Sequence, residues 1–334
     1  MKIAVVGAGA IGTLVAGYLK LKGEEVTLVG RPDSVKVIKE EGLRISGVRG
    51  DFQVKLEAHE LLDREYELVV FAVKTQDMAT ALKDNSAFLG NAVVLTTQNG
   101  VQADRIASGF IDKQRLVSSI VMFGATLLEP AKVVHNFEGS LIIGRPYGTN
   151  DKAVLDIRQT LSQVFPVIVS DAIEGMKYLK VFVNANNCIP AILGVSMQEA
   201  FGDLQVSRIS IAVWREGLEI ARQAGVNLVA LPDFPLERLT QLASMPLGKA
   251  AVIFSGIMTG LSKEPLYGSI LQSIKRNRTS EIDYINGEFV RLAQAHHLTA
   301  PLNERLVEMV HEVEKKRRFF PKEELVHSTQ GLLG

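Results

Sequence analysis

Short apolar runs alternate with amphipathic stretches along the first half of the chain, and the alternation stops near Glu174. "IAVVG" at 3–7, "VTLV" at 26–29, "LVVFAV" at 68–73, "AVVLTT" at 92–97 and "RLVSSI" at 115–120 are the strand candidates. The last two or three are continuous apolar runs, the pattern of parallel strands buried on both faces. Between the runs lie "TLVAGYLKLKG" (13–23), "SVKVIKEEG" (34–42) and "DMATALKDN" (77–85), with helical spacing or composition. Strand–helix–strand repeats of this length predict a parallel sheet with right-handed crossovers. "VVHNFEGSLIIGR" (133–145) reads as a hairpin turning near Gly139-Ser140, which would add antiparallel strands to that sheet.

From about 174 to 318 the pattern is helical almost throughout, with helices expected near 174–193, 203–224, 235–243, 267–275, 278–297 and 302–316. Gly225 should close the second of these, and Pro190 should kink the first by removing a backbone donor. The stretch 244–268 carries too many glycines to be assigned as one helix. The basic run in "EKKRRFFPKEELVHSTQGLLG" reads as a solvated helix end followed by a frayed terminus.

Composition narrows this picture little. The 334 residues suffice for about two domains, 47% are hydrophobic, and the formal net charge is zero. A neutral chain argues against nucleic acid as the main partner. The one cysteine, Cys188, cannot form an internal disulfide or by itself a four-ligand zinc site, and the six histidines show no metal-ligand spacing, so no metal is expected. The polar "KLKGEE" lies where a signal peptide would need its cleavage region, and no apolar stretch reaches the ~20 residues that span a bilayer. These observations predict a cytoplasmic protein with no membrane partner.

Gly7-Ala8-Gly9-Ala10-Ile11-Gly12 fits G-x-G-x-x-G, with a strand before it and a helix after it. In that setting the first glycine permits a tight turn, the second lets a pyrophosphate approach the backbone, and the third lets helix and strand pack closely. The phosphates would sit at the helix N-terminus, where unpaired N–H groups and the helix dipole favour an anion. The motif therefore predicts a Rossmann-type dinucleotide-binding domain. Chains that prefer NAD place an acid at the end of the second strand; here Gly30-Arg31 occupies that place. A guanidinium can pair with a 2′-phosphate that a carboxylate would repel, so the expected coenzyme is NADP(H). Asp33, two residues further on, is the group that could spoil this reading.

Two more strands end in polar residues, Lys74-Thr75-Gln76 and Gln98-Asn99-Gly100, at the carboxyl ends where open α/β sheets bind ligands. Lys74 could support the coenzyme and Asn99 could reach nicotinamide ribose or substrate; each reads equally well as an ordinary loop residue. In the helical half, Lys180 and Asn184 are four apart and share a face beside Val181, Phe182 and Val183. A lysine held in a partly desolvated cleft has a lowered pKa and can act as a general acid. Alone, the pair reads as a lysine reaching solvent beside a core amide. Glu281, twelve residues after Ser269 and among Ile282, Tyr284 and Ile285, could be half buried and paired with Lys180. It could equally be a first-turn acid behind a Thr279 or Ser280 cap. Clefts between two such domains are common substrate sites.

Together these residues resemble the ketopantoate reductase (2-dehydropantoate 2-reductase) family along nearly the whole chain. Gly7, Gly9, Gly12, Arg31, Lys74, Asn99-Gly100, Lys180 with Asn184, and "TSEIDYINGEF" around Glu281 carry the likeness, the last most specifically. The resemblance implies an NADP-binding domain over 1–170, a helical substrate and dimerisation domain over 171–320, and a tail over 321–334. It implies NADPH-dependent reduction of a small 2-oxo acid, ketopantoate first, on the route to pantothenate and coenzyme A. Lys180 would protonate the ketone oxygen as hydride arrives, with Glu281 binding substrate and ordering the site. Asn184 and Ser269 would bond the substrate, and Asn99 would lie near the nicotinamide. A homodimer through the helical domain is compatible with the family and left open by the sequence. The family often has asparagines where direct spacing puts Cys188 and Leu266, both expected to face the substrate; Asn187 is the substitute near the first. The competing readings are a reductase of another 2-oxo acid or ketone, supported by those two departures, and a non-catalytic NADP(H) sensor.

Overall fold

The computed structural model describes residues 1–333. They form two compact units, Met1–Glu174 and Gly175–Gly334. The strands of the first are β1 (Lys2–Val6), β2 (Glu25–Val29), β3 (Leu43–Gly47), β4 (Phe52–Val54), β5 (Glu57–His59), β6 (Leu68–Phe71), β7 (Val93–Thr96), β8 (Leu116–Val121), β9 (Gly124–Glu129), β10 (Lys132–Phe137), β11 (Leu141–Gly144) and β12 (Val167–Val169). Its helices are α1 (Ala10–Leu21), α2 (Pro32–Glu41), α3 (Met78–Asp84), α4 (Gln102–Ala107) and α5 (Lys152–Leu161).

Eight strands form the main sheet in the order β12-β11-β8-β7-β6-β1-β2-β5, parallel except where β11 meets β8. Ile3 and Val5 pack on one face with Leu14 and Leu19 of α1. Ala4 and Val6 pack on the other with Met78 and Leu82 of α3. Burial on both faces is why these strands read as unbroken apolar runs. The chain leaves β1 for β2 on one side and crosses to β6 on the other, so strand order reverses at β1. Open α/β sheets bind ligands at such a point.

The expected hairpin over 133–145 is corrected. β10 pairs with β9 in a second sheet, ordered β4-β3-β10-β9, whereas β11 pairs with β8 in the main sheet. Residues 116–144 make one long antiparallel ribbon that bends from sheet to sheet, joined at the bend by the Met122 N–H donating to the Ser140 carbonyl (2.9 Å). The reversal lies between Glu129 and Lys132, where Ala131 takes φ 65°. Gly139 marks the bend, pressed against the backbone of Met122 and Phe123.

Under this second sheet His135 is fully buried. Its Nδ1 is 3.0 Å from the Tyr18 hydroxyl, and its Nε2 has no partner among the described residues. Arg49, stacked on the Tyr18 ring, and its partner Glu138 are the charges that act on His135. Burial holds the imidazole pKa below its ordinary value. The unfolded chain then takes up the proton more readily, so stability is lost as pH falls below about 6.5. Between about pH 7.5 and about pH 5.5 the thermal midpoint should fall further in the wild type than in His135→Asn. Equal falls in the two proteins would remove His135 as the cause.

Helices α6 (Ile173–Ala185), α7 (Cys188–Leu193), α8 (Met197–Gly202), α9 (Leu204–Gln223), α10 (Leu236–Ser244), α11 (Leu247–Thr259), α12 (Ser269–Lys275), α13 (Asn286–Ala295), α14 (Pro301–Lys316) and α15 (Lys322–Thr329) follow. The long α9 packs against α8, α10, α11, α13, α14 and α15. Its Glu216 accepts from the Leu302 and Asn303 N–H groups at the start of α14, satisfying donors that a helix N-terminus leaves orphaned. The expected helix over 174–193 is two helices. The Pro190 ring excludes the carbonyl four residues back, so the break falls at Asn186-Asn187 rather than at the proline. The helix expected from 278 starts at Asn286, after a 3₁₀ turn over Ile282–Tyr284. The ambiguous 244–268 contains α11. Residues 321–333 are not simply a frayed end: α15 packs on α9, and Lys322 pairs with Asp203 at 2.8 Å. Among the described residues no helix is long and apolar enough to cross a membrane.

Candidate functional site

In the first unit the glycine loop follows β1 at the switch point. Gly7 has φ 120°, and a Cβ there would lie 2.6 Å from the Val73 nitrogen, so its backbone must lie directly against the end of β6. A Cβ on Gly12 would overlap the Gly7 carbonyl oxygen and crowd Ala72. Gly9 differs: the nearest atom to a Cβ there would be the Ala72 carbonyl oxygen, 3.9 Å away. The internal packing needs Gly7 and Gly12, and Gly9 leaves space. Gly9 is also the N-cap of α1, with no side chain capping it and no acid in the first turn. Residues Gly7, Ala8, Gly9, Ala10 and Ile11 are partly exposed, so the free N–H groups of this helix end are accessible. An open, uncapped helix N-terminus beside a bare Cα fits a pyrophosphate.

Arg31 caps the start of α2 and is exposed, and its side chain makes no ion pair among the described residues. Gly30 before it is obligatory, because a Cβ there would come within 2.7 Å of the Ala8 Cβ. That contact fixes the second strand's end against the glycine loop and so sets where Arg31 emerges. Asp33 lies in the first turn of α2, exposed.

Lys74 opens a 3₁₀ turn after β6, and Asn99 follows β7; both are partly exposed. Gln98 holds these two loops in register. It is buried, and its amide donates to the carbonyls of Phe71 (2.8 Å) and Val73 (2.9 Å). Nothing in the strand-end tripeptide Gln98-Asn99-Gly100 marks this residue for that task. Gly100, at φ 79°, turns the chain directly after Asn99.

In the second unit Lys180, Asn184 and Asn187 are partly exposed, whereas Leu179, Val181, Phe182 and Ala185 are buried. Lys180 and Asn184 are spaced as one face of α6, and Asn187 follows at the break as the N-cap of α7. The other face is anchored by Phe182, whose ring meets Phe289 at 4.8 Å with Gly217 leaving it room. The Trp214 indole N–H donates to the Phe182 carbonyl (2.9 Å), a group the break at residue 186 would otherwise leave orphaned. Desolvation lowers the Lys180 pKa to about 8, against the opposing pull of the Asp233 carboxylate. Asp233 was not singled out from sequence. It sits in the turn Leu231–Phe234, and Phe234 packs edge-on against Trp214, which ties that turn to α6.

Cys188 is corrected. It is fully buried, its thiol pushed up to about 12 by desolvation, so it faces no ligand. The break after α6 turns it inward, and Asn187 takes the exposed position instead. Asn187 packs against Gly268, where a Cβ would sit 3.1 Å from its side chain, immediately before exposed Ser269. Leu266 is partly exposed, its backbone pinned by Gln198 (2.9 Å) and Met197 (2.9 Å). Glu281 is partly exposed just before the 3₁₀ turn, next to Ser280, whose N–H donates to Glu314 (2.7 Å).

A glycine-loop dinucleotide fold followed by a helical unit presenting a desolvated lysine defines a class of two-unit oxidoreductases. Comparison with known proteins is specific about which. Residues 3–148 match the family described as ketopantoate reductase PanE/ApbA, and residues 172–314 match its C-terminal domain. The chain belongs to the ketopantoate reductase family and is an oxidoreductase of that family. It is 31% identical to the 2-dehydropantoate 2-reductase of Pyrococcus horikoshii over 307 residues, covering 91% of this chain and 94% of that one. A PanE/ApbA family ketopantoate reductase from Ralstonia eutropha superposes with a TM-score of 0.79 at 27% identity, over 95% of this chain and 99% of that one. A D-mandelate dehydrogenase with NADH and anilino(oxo)acetate shares the fold, with a TM-score of 0.80 at 24% identity, over 95% and 99% of the two chains.

Proposed function

We propose that this protein reduces a 2-oxo acid to the 2-hydroxy acid with NADPH, ketopantoate being the first substrate to test and pantoate its product. The observation that carries the reading is the desolvated Lys180, on one exposed face with Asn184, in a chain whose other unit has an open glycine loop. Bound NADPH supplies the hydride to the carbonyl carbon. Lys180 donates its Nζ proton to the carbonyl oxygen, on which negative charge would otherwise build, and is reprotonated from solvent. Asn184 and Ser269 hydrogen-bond the acid, and Glu281 orders it and faces Lys180. Gly7 to Gly12 hold the pyrophosphate, Lys74 and Asn99 support the nicotinamide end, and Arg31 pairs with the 2′-phosphate. A cytoplasmic homodimer joined through the helical unit completes the reading.

The test follows NADPH absorbance with purified protein and ketopantoate, NADH alongside. Saturable oxidation with NADPH preferred supports the reading; NADPH binding without turnover of ketopantoate sinks the named substrate. In Arg31→Asp the KM for NADPH should rise about tenfold to a hundredfold while NADH improves. An unchanged preference would mean that Arg31 does not read the phosphate.

A further inference from the structure

The exposed face of α12 continues beyond Ser269. Ser269, Ser273 and Arg276 fall at i, i+4 and i+7 and so lie in one line, with the Ser273 hydroxyl donating to the Ser269 carbonyl at 3.0 Å. Ile270, Leu271 and Ile274 occupy the buried side. The helix ends at Lys275 with Arg276 as its C-cap, and Asn277, at φ 56°, reverses the chain. The N–H groups of Asn277 and Arg278 then return to the carbonyls of Ile274 (2.9 Å) and Ser273 (3.0 Å). This turn keeps Arg278 two residues from Arg276, and burial together with the neighbouring Arg278 charge holds the Arg276 guanidinium below its ordinary pKa. Neither guanidinium has an ion pair or hydrogen bond among the described residues. Lys275, next to them, is held over the Tyr267 ring at 4.3 Å.

Two like charges held together without a counter-ion store unfavourable energy, which an anion relieves. Arg276 lies about 10 Å along the helix axis from Ser269. The long, flexible arginine side chain can reach back along the helix toward Ser269, and what separates them is a gap that a short carbon chain can span. Resting on the 2-oxo acid reading of the same site, we propose that Arg276, assisted by Arg278, binds a second acidic group at the far end of the substrate. The preferred substrates are then 2-oxo dicarboxylates rather than 2-oxo acids with a neutral tail.

The test measures NADPH oxidation with 2-oxoglutarate and 2-oxoadipate against 2-oxopentanoate and ketopantoate, in wild type, Arg276→Gln and Arg276→Lys. The diacids should show kcat/KM at least about tenfold above 2-oxopentanoate, with an advantage that shrinks as salt is added. Arg276→Gln should raise KM for the diacids about tenfold with kcat nearly unchanged and leave the monoacids alone; Arg276→Lys should restore part of the loss. Turnover of the monoacids with no preference for diacids overturns this inference and leaves the reductase reading intact. Failure of every 2-oxo acid in the wild type overturns both. Weaker binding of NADPH, but not of NADH, by Arg276→Gln would assign the arginine to the coenzyme phosphate and overturn the proposal.

Discussion

Lys180→Met is expected to lower kcat by about a thousandfold or more while NADPH binds with nearly native affinity. The two side chains have similar length, and methionine removes an ammonium that is costly to desolvate, so the variant should fold at least as well as the wild type. An unchanged thermal midpoint checks this, and calorimetric titration with NADPH checks that the coenzyme half is intact. The wild type carries an independent signature. Because burial lowers the lysine pKa to about 8, most of the amine is protonated at neutral pH and available as a proton donor. Above about pH 8 the donor is lost, and kcat/KM should fall about tenfold per pH unit. The variant's residual rate should lack that limb. Turnover within tenfold of wild type would exclude Lys180 as the acid, and full turnover loss together with lost NADPH binding would point to misfolding instead.

The second large effect separates folding from coenzyme binding within one motif. In Gly12→Val the new side chain meets the Gly7 carbonyl and Ala72, backbone and strand that cannot retreat. A loss of about 2 kcal/mol or more in stability and no measurable NADPH binding are expected. Gly9→Ala is the contrast. Gly9 has φ −86°, open to any residue, and its Cβ would meet no atom within ordinary contact except one at 3.9 Å. This variant should melt with the wild type yet bind NADPH at least about tenfold more weakly, because the methyl takes the space the pyrophosphate needs. Native affinity in Gly9→Ala would show that the phosphates do not approach that Cα.

The central strands of the main sheet were legible because they are buried on both faces and so read as unbroken runs such as "LVVFAV"; β5 and β12, three residues each at the edges, were not. The second sheet was not, since β4 is only three residues long and Phe52 on it is exposed. The ribbon over 116–144 was misread for a related reason. Glycine and serine at 139–140 suit a turn, but the same freedom serves a bend between sheets, and the true reversal at Pro130-Ala131 carries no glycine. In the site, Lys180 and Asn184 could be paired by helical spacing alone. That spacing failed at Cys188 because it assumed an unbroken helix, and the proline acts four residues upstream of itself. Gln98 and Asp233 were out of reach, since each acts on residues distant in sequence or across a loop, where periodicity has no say.

Trp214 is the chain's single tryptophan. Its indole N–H is bonded to the carbonyl that lies two residues from Lys180 on one side and two from Asn184 on the other. The fold has thereby wired an optical reporter into the backbone of the proposed site. Any ligand that shifts α6 must lengthen or tighten that bond, and the emission wavelength of one fluorophore, with no label attached, will register it.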